Sequence, residues 1–252
     1  MSLRPDLHVE SVIGARTREL DTPRLATHFA DQDSFLYLED FLPSEVSVQL
    51  ARTATELLGE VNRSYLPGHK QGGSVSRHTI DAKAAFIGEL YRSAELIGWL
   101  EKLTGDRLQV SPANDPHAYA LYYYMRPGDH IGWHYDTSYY DGRRYTILLG
   151  VIDNSSCMLE YELYTRNQHK GDERGAVRYP PGAMLVFDGD KLRHRVTPAR
   201  ENELRVSLTF EYVTNPNMRP WRRLFSNLKD AVAYFGVRQV FRKFVRRRKD
   251  VP

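Results

Sequence analysis

The second half of the chain is a series of short segments rich in β-forming residues, and this series limits the fold more than any other feature. The segments are built largely from Val, Leu, Tyr, Phe and Thr, and turn sequences such as Arg126-Pro127-Gly128-Asp129 separate them. We expect strands at 118–125, 145–153, 158–165, 182–189, 194–199 and 203–213. Short strands at this spacing, preceded by helices, predict a mainly β fold with flanking helices, in which two sheets form a barrel or sandwich.

The first part of the chain has a different pattern, with two segments of helical periodicity. A helix start is predicted at 43–45, because apolar residues follow it at spacings of three and four. A second helix is predicted from about Ala82 to Thr104, with Asp81 as its cap and Gly105 as its stop. We expect residues 1–33 to be irregular, 35–42 to form a short apolar stretch, and the polar segment 62–78 to be a long, lid-like loop.

Cysteine content and hydropathy limit the class of protein. Cys157 is the sole cysteine, so no intrachain disulfide can form and a zinc site built from several cysteines is excluded. The N-terminal residues lack the apolar run of a signal peptide, and no segment reaches the roughly 18 apolar residues of a membrane span. We therefore expect a cytoplasmic protein.

Positive charge is concentrated at the C-terminal end. Residues 219–252 contain eleven Lys and Arg against Asp230 and Asp250, so their net charge is +9, whereas the rest of the chain carries −6. Helical spacing of apolar residues from Val237 to Val245 predicts a basic amphipathic helix within a tail at 214–252. Such a helix could dock on the barrel or make peripheral contact with an anionic membrane. No recognised nucleic-acid-binding motif accompanies it, which disfavours a nucleic-acid partner.

A candidate metal site lies in the segment Gly132-Trp-His134-Tyr-Asp136. His134 and Asp136 are two residues apart, so their side chains point to the same side of an extended segment and can reach one metal. His194, at the start of a later predicted strand, can supply a third ligand. Two histidines and one carboxylate leave open positions on the metal, as in non-haem Fe(II) oxygenases. Taken singly, each residue also fits a hydrogen-bonded strand-end pair or a surface histidine.

A candidate anion site follows eleven residues after His194. Arg205 lies in an alternating strand whose neighbours are core-like, so its charge must point into a cavity or to solvent. The planar guanidinium is suited to binding a carboxylate through two hydrogen bonds. Ser207 lies two residues further on and faces the same way as Arg205. Its hydroxyl could therefore bind the same carboxylate.

The order of these residues resembles a known family. His-x-Asp, a distal His about sixty residues later and then Arg-x-Ser is the pattern of the Fe(II)/2-oxoglutarate-dependent dioxygenases. The segment from Tyr124 to Asp136, with its Pro-Gly turn, resembles the prolyl 4-hydroxylase-like branch, and so does the opening segment 37–50. The resemblance spans roughly residues 35–213. That branch often has lysine at the carboxylate anchor, so Arg205 is a departure from its pattern.

The resemblance implies a fold and a role for each residue. The core would be a double-stranded β-helix, also called a jelly roll or cupin-like fold. His134, Asp136 and His194 would bind Fe(II) and form the catalytic centre. Arg205, with Ser207 and Tyr124, would bind 2-oxoglutarate, and O2 would be the oxidant. Related halogenases carry glycine or alanine at the carboxylate position, so Asp136 favours hydroxylation, while desaturation and cyclisation stay open.

The sequence also suggests a domain plan and a type of substrate. We expect one dioxygenase domain at 1–213, with a helical part at 35–105 and a β core at 116–213, followed by the tail. The mixed polar residues of 62–78 suit a small polar molecule, such as a free amino acid or another carboxylate-bearing metabolite. Arg77 could bind an anionic group of that substrate or be a solvated loop residue. The alternative function is a non-catalytic cupin-like binding or sensor protein that uses the basic tail.

Overall fold

A computed structural model describes residues 8–112 and 115–217. The helices are α1 (Val9–Glu19), α2 (Thr22–Asp31), α3 (Ser44–Glu56), α4 (Arg77–Lys83), α5 (Ala85–Arg92) and α6 (Ala94–Thr104), and a 3-10 turn, Leu57–Glu60, follows α3. The strands are β1 (Phe35–Leu38), β2 (Asn62–Leu66), β3 (Lys70–Ser76), β4 (Gln109–Val110), β5 (Tyr119–Tyr124), β6 (His130–His134), β7 (Arg144–Asn154), β8 (Leu159–Leu163), β9 (Glu173–Val177), β10 (Met184–Asp188), β11 (Arg193–Val196) and β12 (Leu204–Val213).

The strands form one strongly curled antiparallel sheet. Its order is β1-β10-β7-β12-β5-β3-β6-β11-β8-β9, with β2 paired to β3 and β4 paired to β12. Three strands separate β6 from β7 in this order, yet Thr146 on β7 hydrogen-bonds Asp136, which lies two residues beyond the end of β6. The two arms of the sheet therefore face each other across a cavity. This is a jelly-roll, or double-stranded β-helix, arrangement with flanking helices, and the predicted fold class is confirmed.

Strand β12 shows why this sequence folds into two layers around a cavity. Successive side chains of a strand point to opposite faces of the sheet. The residues Val206, Leu208, Phe210 and Tyr212 pack in the main hydrophobic core beneath the helices. The alternate residues Ser207, Thr209 and Glu211 line the cavity instead. One strand thus contributes to the apolar core with one face and to a polar site with the other.

The helical layer begins earlier in the chain than the sequence indicates. Residues 1–33 were expected to be irregular, which is wrong for the described part, because α1 and α2 pack against α6. The α1 helix buries a narrow face that includes Val9 and Ile13, and most of its other residues are polar. Its apolar periodicity is therefore weak. Glu10 accepts hydrogen bonds from the backbone N–H groups of Ala94 and Glu95 at the start of α6. These contacts join the N-terminal helices to the fold.

The predicted helix 82–104 is three helices, α4, α5 and α6, so that prediction is wrong in its continuity. The chain leaves helical geometry at Ala84 and again at Ser93. Ser93 is the N-cap of α6, since its hydroxyl accepts a hydrogen bond from the Leu96 N–H. The predicted stop is confirmed, because Gly105 adopts the left-handed conformation at φ +73°.

The segment 62–78 is also different from the predicted long loop. It forms the β2–β3 hairpin and the start of α4, with Asn62 opposite Ser74 and Leu66 opposite Lys70. Gly68 provides the left-handed residue of the turn, at φ +70°. The exposed part of the hairpin is confined to β2 and the turn, and the buried part of β3 consists of Gly, Ser and Val, so hydrophobic alternation did not reveal it. Its tip, with Tyr65 69% exposed, projects into solvent.

No helix in residues 8–112 and 115–217 is long and apolar enough to span a membrane. The expected cytoplasmic location stays a prediction. The predicted amphipathic helix, from Val237 to Val245, lies outside the described residues, which include only 214–217 of the basic tail. The membrane contact expected of the tail is likewise a prediction.

The packing of β12 beneath the helices leads to a prediction for stability. Leu208 is fully buried in the main core, so Leu208→Ala should lower the free energy of unfolding by about 2–5 kcal/mol through lost apolar contact and a residual cavity. Urea denaturation followed by circular dichroism measures the change. Val48→Ala, at a side chain that is 68% exposed, is the matched control and should stay within about 0.5 kcal/mol. Equal effects of the two substitutions would show that the core does not depend on β12.

Candidate functional site

The structure brings the three predicted metal ligands together. His134 Nε2 lies 3.4 Å from Asp136 Oδ1, and His194 Nε2 lies 3.8 Å from Asp136 Oδ2. The three ligand atoms all lie within 4.8 Å of one another. His194 is buried, while His134 and Asp136 are partly exposed towards the cavity. This cluster can hold one metal ion and leave room on its open side.

Strand pairing fixes this geometry. The antiparallel register of β6 and β11 places His194 directly opposite His134, with ring centroids 4.2 Å apart. Asp136 follows two residues after His134, where β6 has ended and the chain turns towards β7. The Nδ1 atom of His134 lies 2.8 Å from the Gly132 carbonyl oxygen. That contact orients the ring so that Nε2 is the atom available to a metal.

The protonation states suit metal binding. Burial lowers the pKa of His194 to about 4, with the neighbouring His134 acting in the same direction. Burial alone would raise the pKa of Asp136, but His194, His134 and Arg144 outweigh it and hold that pKa well below its ordinary value. At neutral pH His194 is therefore neutral and Asp136 is anionic. These are the forms in which imidazole and carboxylate bind a metal.

A second layer of polar contacts supports Asp136. Thr146 Oγ1 lies 3.0 Å from Asp136 Oδ2 and 3.0 Å from Glu211 Oε2. Arg144 Nε donates to Glu211 Oε2 at 2.7 Å, and burial raises the pKa of Glu211 to about 7 despite this ion pair. The threonine hydroxyl has one proton, so it can donate to one carboxylate at a time. Sequence reasoning missed Thr146 and Glu211, although Glu211 lies on the same face of β12 as Ser207 and also lines the cavity.

The predicted anion site is buried in the same fold. Arg205 is 2% exposed, and neither terminal guanidinium nitrogen has a hydrogen-bond partner among the described residues. Its guanidinium carbon lies 4.1 Å from the ring centroid of Tyr179 and 5.6 Å from that of Tyr124, which is its partner on β5. A buried charge without hydrogen bonds is costly. The two nitrogens therefore fit an anion that accepts two bonds, such as a carboxylate.

One cavity connects these features. Its volume is about 720 Å³, and its lining includes the three candidate metal ligands together with Ser207 and Tyr124. Apolar side chains such as Leu148 and Leu159 form part of the wall. The cavity therefore combines a metal-binding cluster, hydroxyl groups near Arg205 and an apolar surface. This is the composition expected of a small-molecule site.

Arg77, predicted as a substrate contact, occupies a different position. It is 7% exposed and does not line the cavity. Its guanidinium donates to the carbonyl oxygens of Pro112 and Asp115 and pairs with Asp81. Arg77 thus holds α4 against the segment before β5. Its surroundings support neither a substrate contact nor a solvated loop residue.

Comparisons with known proteins agree with this description. A family model described as "Halogenase D" matches residues 17–141, which include His134 and Asp136. No curated protein sequence matches the chain. The fold is similar to that of many solved structures. The epimerase SnoN from nogalamycin biosynthesis, in complex with Fe3+, alpha ketoglutarate and nogalamycin RO, has a TM-score of 0.62 at 14% identity, covering 76% of this chain and 83% of that one.

Two further structures show the breadth of this group. A prolyl hydroxylase from Trichoplax adhaerens, in complex with a hypoxia inducible factor peptide, has a TM-score of 0.61 at 15% identity and covers 84% of this chain and 94% of that one. The alpha ketoglutarate dependent carbocyclase SnoK has a TM-score of 0.62 at 14% identity and covers 79% and 86%. The chain therefore shares the double-stranded β-helix fold of these solved structures, in agreement with the resemblance seen in the sequence.

The clustered ligands predict a binding site for one divalent metal ion. His194→Ala should weaken Mn(II) binding by more than about 100-fold. Loss of a residue that only orients a metal ligand commonly lowers the affinity 10- to 100-fold, and loss of a ligand itself should cost more. Anaerobic calorimetry and the EPR signal of Mn(II) measure the affinity. His169→Ala, at an exposed loop residue, is the control and should bind as the unaltered protein does. Unchanged affinity in His194→Ala would exclude this residue as a ligand.

Proposed function

We propose that this protein is an Fe(II)- and 2-oxoglutarate-dependent oxygenase that hydroxylates an unactivated C–H bond of a small polar substrate. The observation that carries the proposal is the pairing of two features around one cavity. A His-Asp-His cluster lies within it, and the buried Arg205, whose two terminal nitrogens have no hydrogen-bond partner among the described residues, packs against the cavity-lining Tyr179. A binding or sensor protein of the same fold would have no need for both features.

The donor set fits Fe(II). His134, Asp136 and His194 would hold the ion with two imidazoles and one carboxylate, and this set leaves open positions for other ligands. Thr146 would orient the carboxylate of Asp136 through the hydrogen bond to Oδ2. Contacts of the Nδ1 atoms of His134 and His194 with backbone carbonyl oxygens would hold the two imidazole rings in fixed orientations. The chain thus supplies a pre-oriented set of ligands.

The residues around Arg205 fit the distal carboxylate of 2-oxoglutarate. Arg205 would donate two parallel hydrogen bonds to it, and Ser207, on the same face of β12, would donate a third. Tyr124 lines the cavity opposite Arg205 and would close the remaining side. When bound, Fe(II), 2-oxoglutarate and O2 supply the oxidising chemistry, with succinate and CO2 as coproducts. The protein's part is to orient the cosubstrate and shield it from water.

The carboxylate of Asp136 supports hydroxylation rather than halogenation. The "Halogenase D" family match includes this position. In halogenases of this kind, a small residue at the carboxylate position gives a halide access to the metal. Here Asp136 occupies that position and points at both histidines. We therefore assign oxygen transfer to this protein. The substrate class that we propose is a free amino acid or another carboxylate-bearing metabolite.

Arg205 provides the test of the cosubstrate site. In Zn(II)-loaded protein, Arg205→Met should weaken 2-oxoglutarate binding by about 2–5 kcal/mol, since the carboxylate loses its buried cationic partner. Calorimetry measures the affinity, and thermal unfolding with and without 2-oxoglutarate gives a second readout. The variant without ligand should be at least as stable as the unaltered protein, because an unbonded buried charge has been removed.

Arg178→Met is the matched control, because Arg178 is half-exposed and pairs with Asp153 outside the cavity. It should leave 2-oxoglutarate binding unchanged.

With Fe(II) and O2, a screen of candidate metabolites for succinate release should identify a substrate. Its product should contain one additional oxygen atom, even when chloride is present. Equal 2-oxoglutarate affinity in both variants would contradict the assigned anchor, and a chlorinated product would contradict hydroxylation.

A further inference from the structure

We propose that the β2–β3 hairpin carries a second anion-binding subsite, formed by the Lys70 ammonium and the Ser64 hydroxyl, which binds a carboxylate of the primary substrate. The subsite is distinct from the one at Arg205 and makes Lys70 a specificity-determining residue. The inference rests on the proposed function, because it assumes that the cavity receives a substrate beside the metal cluster.

The register of the hairpin places the two groups on one face. Ser64 lies opposite Gly72, and Leu66 lies opposite Lys70. Since side chains alternate along each strand, Ser64, Leu66 and Lys70 point to the same side of the hairpin. All three line the cavity. Gly72 faces the same way and adds no side chain beside Ser64; a Cβ there would make only an ordinary contact with the Tyr123 carbonyl oxygen, at 3.5 Å.

The chemistry of these groups suits an anion. The Ser64 hydroxyl oxygen is buried and has no hydrogen-bond partner among the described residues, which leaves a donor for a ligand. The Lys70 ammonium lies 4.7 Å from the ring centroid of Tyr122, a cavity-lining residue. Desolvation lowers the pKa of Lys70 to about 8, with Asp136 opposing the shift, so the amine is still mainly cationic at neutral pH. A carboxylate can accept hydrogen bonds from both groups.

The subsite lies close to the metal cluster. Lys70 is the strand partner of Ile131 on β6, the strand that ends at His134. A small molecule held by Lys70 would therefore extend its carbon atoms towards the three ligands. The Arg205 site is instead formed by residues of β12 and β5, on which Arg205 and Tyr124 are strand partners. The two subsites approach the cavity from different strands, so cosubstrate and substrate need not compete.

The charges of the cavity favour a monoanion over a dianion. Arg144, the other cation that lines the cavity, is ion-paired with Glu211 at 2.7 Å. Asp136 and Glu211 are acidic groups of the same cavity and would repel a doubly charged group. One ammonium and one hydroxyl match one carboxylate. We therefore assign a carboxylate rather than a phosphate to this position.

The test uses acetate as a probe and Mn(II) as a relaxation agent. Mn(II) is bound first and its EPR signal recorded, and the non-reactive analogue N-oxalylglycine then fills the Arg205 site. The 13C relaxation of labelled acetate should be enhanced in a saturable way. Lys70→Met should weaken this acetate binding by about 10- to 100-fold, and Ser64→Ala should weaken it by a smaller factor. Neutral acetamide should show little enhancement.

Lys83→Met is the matched control, since Lys83 is exposed and pairs with Glu60 away from the cavity. It should leave acetate binding unchanged. Unaltered binding in Lys70→Met, or equal enhancement of acetate and acetamide, would overturn the subsite. Stronger binding of inorganic phosphate than of acetate would overturn the carboxylate assignment. Failure to bind Mn(II) at all would instead count against the proposed function, so the two failures are distinguishable.

Discussion

The antiparallel pairing of β6 and β11 is the constraint on which the rest of the site depends. It sets His194 opposite His134, and the end of β6 then lets Asp136 turn towards both rings. Residues sixty positions apart become neighbours because β6 and β11 are adjacent strands of the curled sheet. The same curl brings Thr146 of β7 to Asp136, so the second layer of contacts depends on the closure that makes the cavity.

The burial of charged side chains is the second constraint on the site. Arg144 and Glu211 satisfy each other inside the cavity, whereas Arg205 is buried with both terminal nitrogens unbonded among the described residues. A folded protein tolerates such a group when a ligand supplies the missing acceptors. Under the proposed function, the stability of the protein without ligand and its affinity for 2-oxoglutarate would be linked, because Arg205 would lower the former and provide the latter.

The sequence predicts the parts of this site that depend on strand periodicity. His134, Asp136, Arg205 and Ser207 were found because residues two apart share a face of a strand, and the six predicted strands are all present. The fold class followed from the same pattern and from the family resemblance. These features are local, or are set by the order of residues along the chain.

The features that were missed depend on tertiary structure. Thr146 lies in an apolar strand, and only the curl of the sheet shows that it contacts Asp136. Lys70 and Ser64 lie in a polar hairpin with no hydrophobic alternation, so the segment was predicted as a loop. The helix breaks at Ala84 and Ser93 fall in a segment whose apolar periodicity continues across them. Arg77 was predicted to be either a substrate contact or a solvated residue at the end of the loop. Its actual partners, the carbonyl oxygens of Pro112 and Asp115, are too distant in the sequence to be predicted from it.

The most direct test of the central claim is a crystal structure of the protein with Mn(II) and 2-oxoglutarate under anaerobic conditions. We expect one metal ion bound by His134, Asp136 and His194, and one 2-oxoglutarate molecule that places a carboxylate on the two terminal nitrogens of Arg205. A metal ion bound elsewhere, or a 2-oxoglutarate molecule that leaves Arg205 without a carboxylate, would contradict that claim.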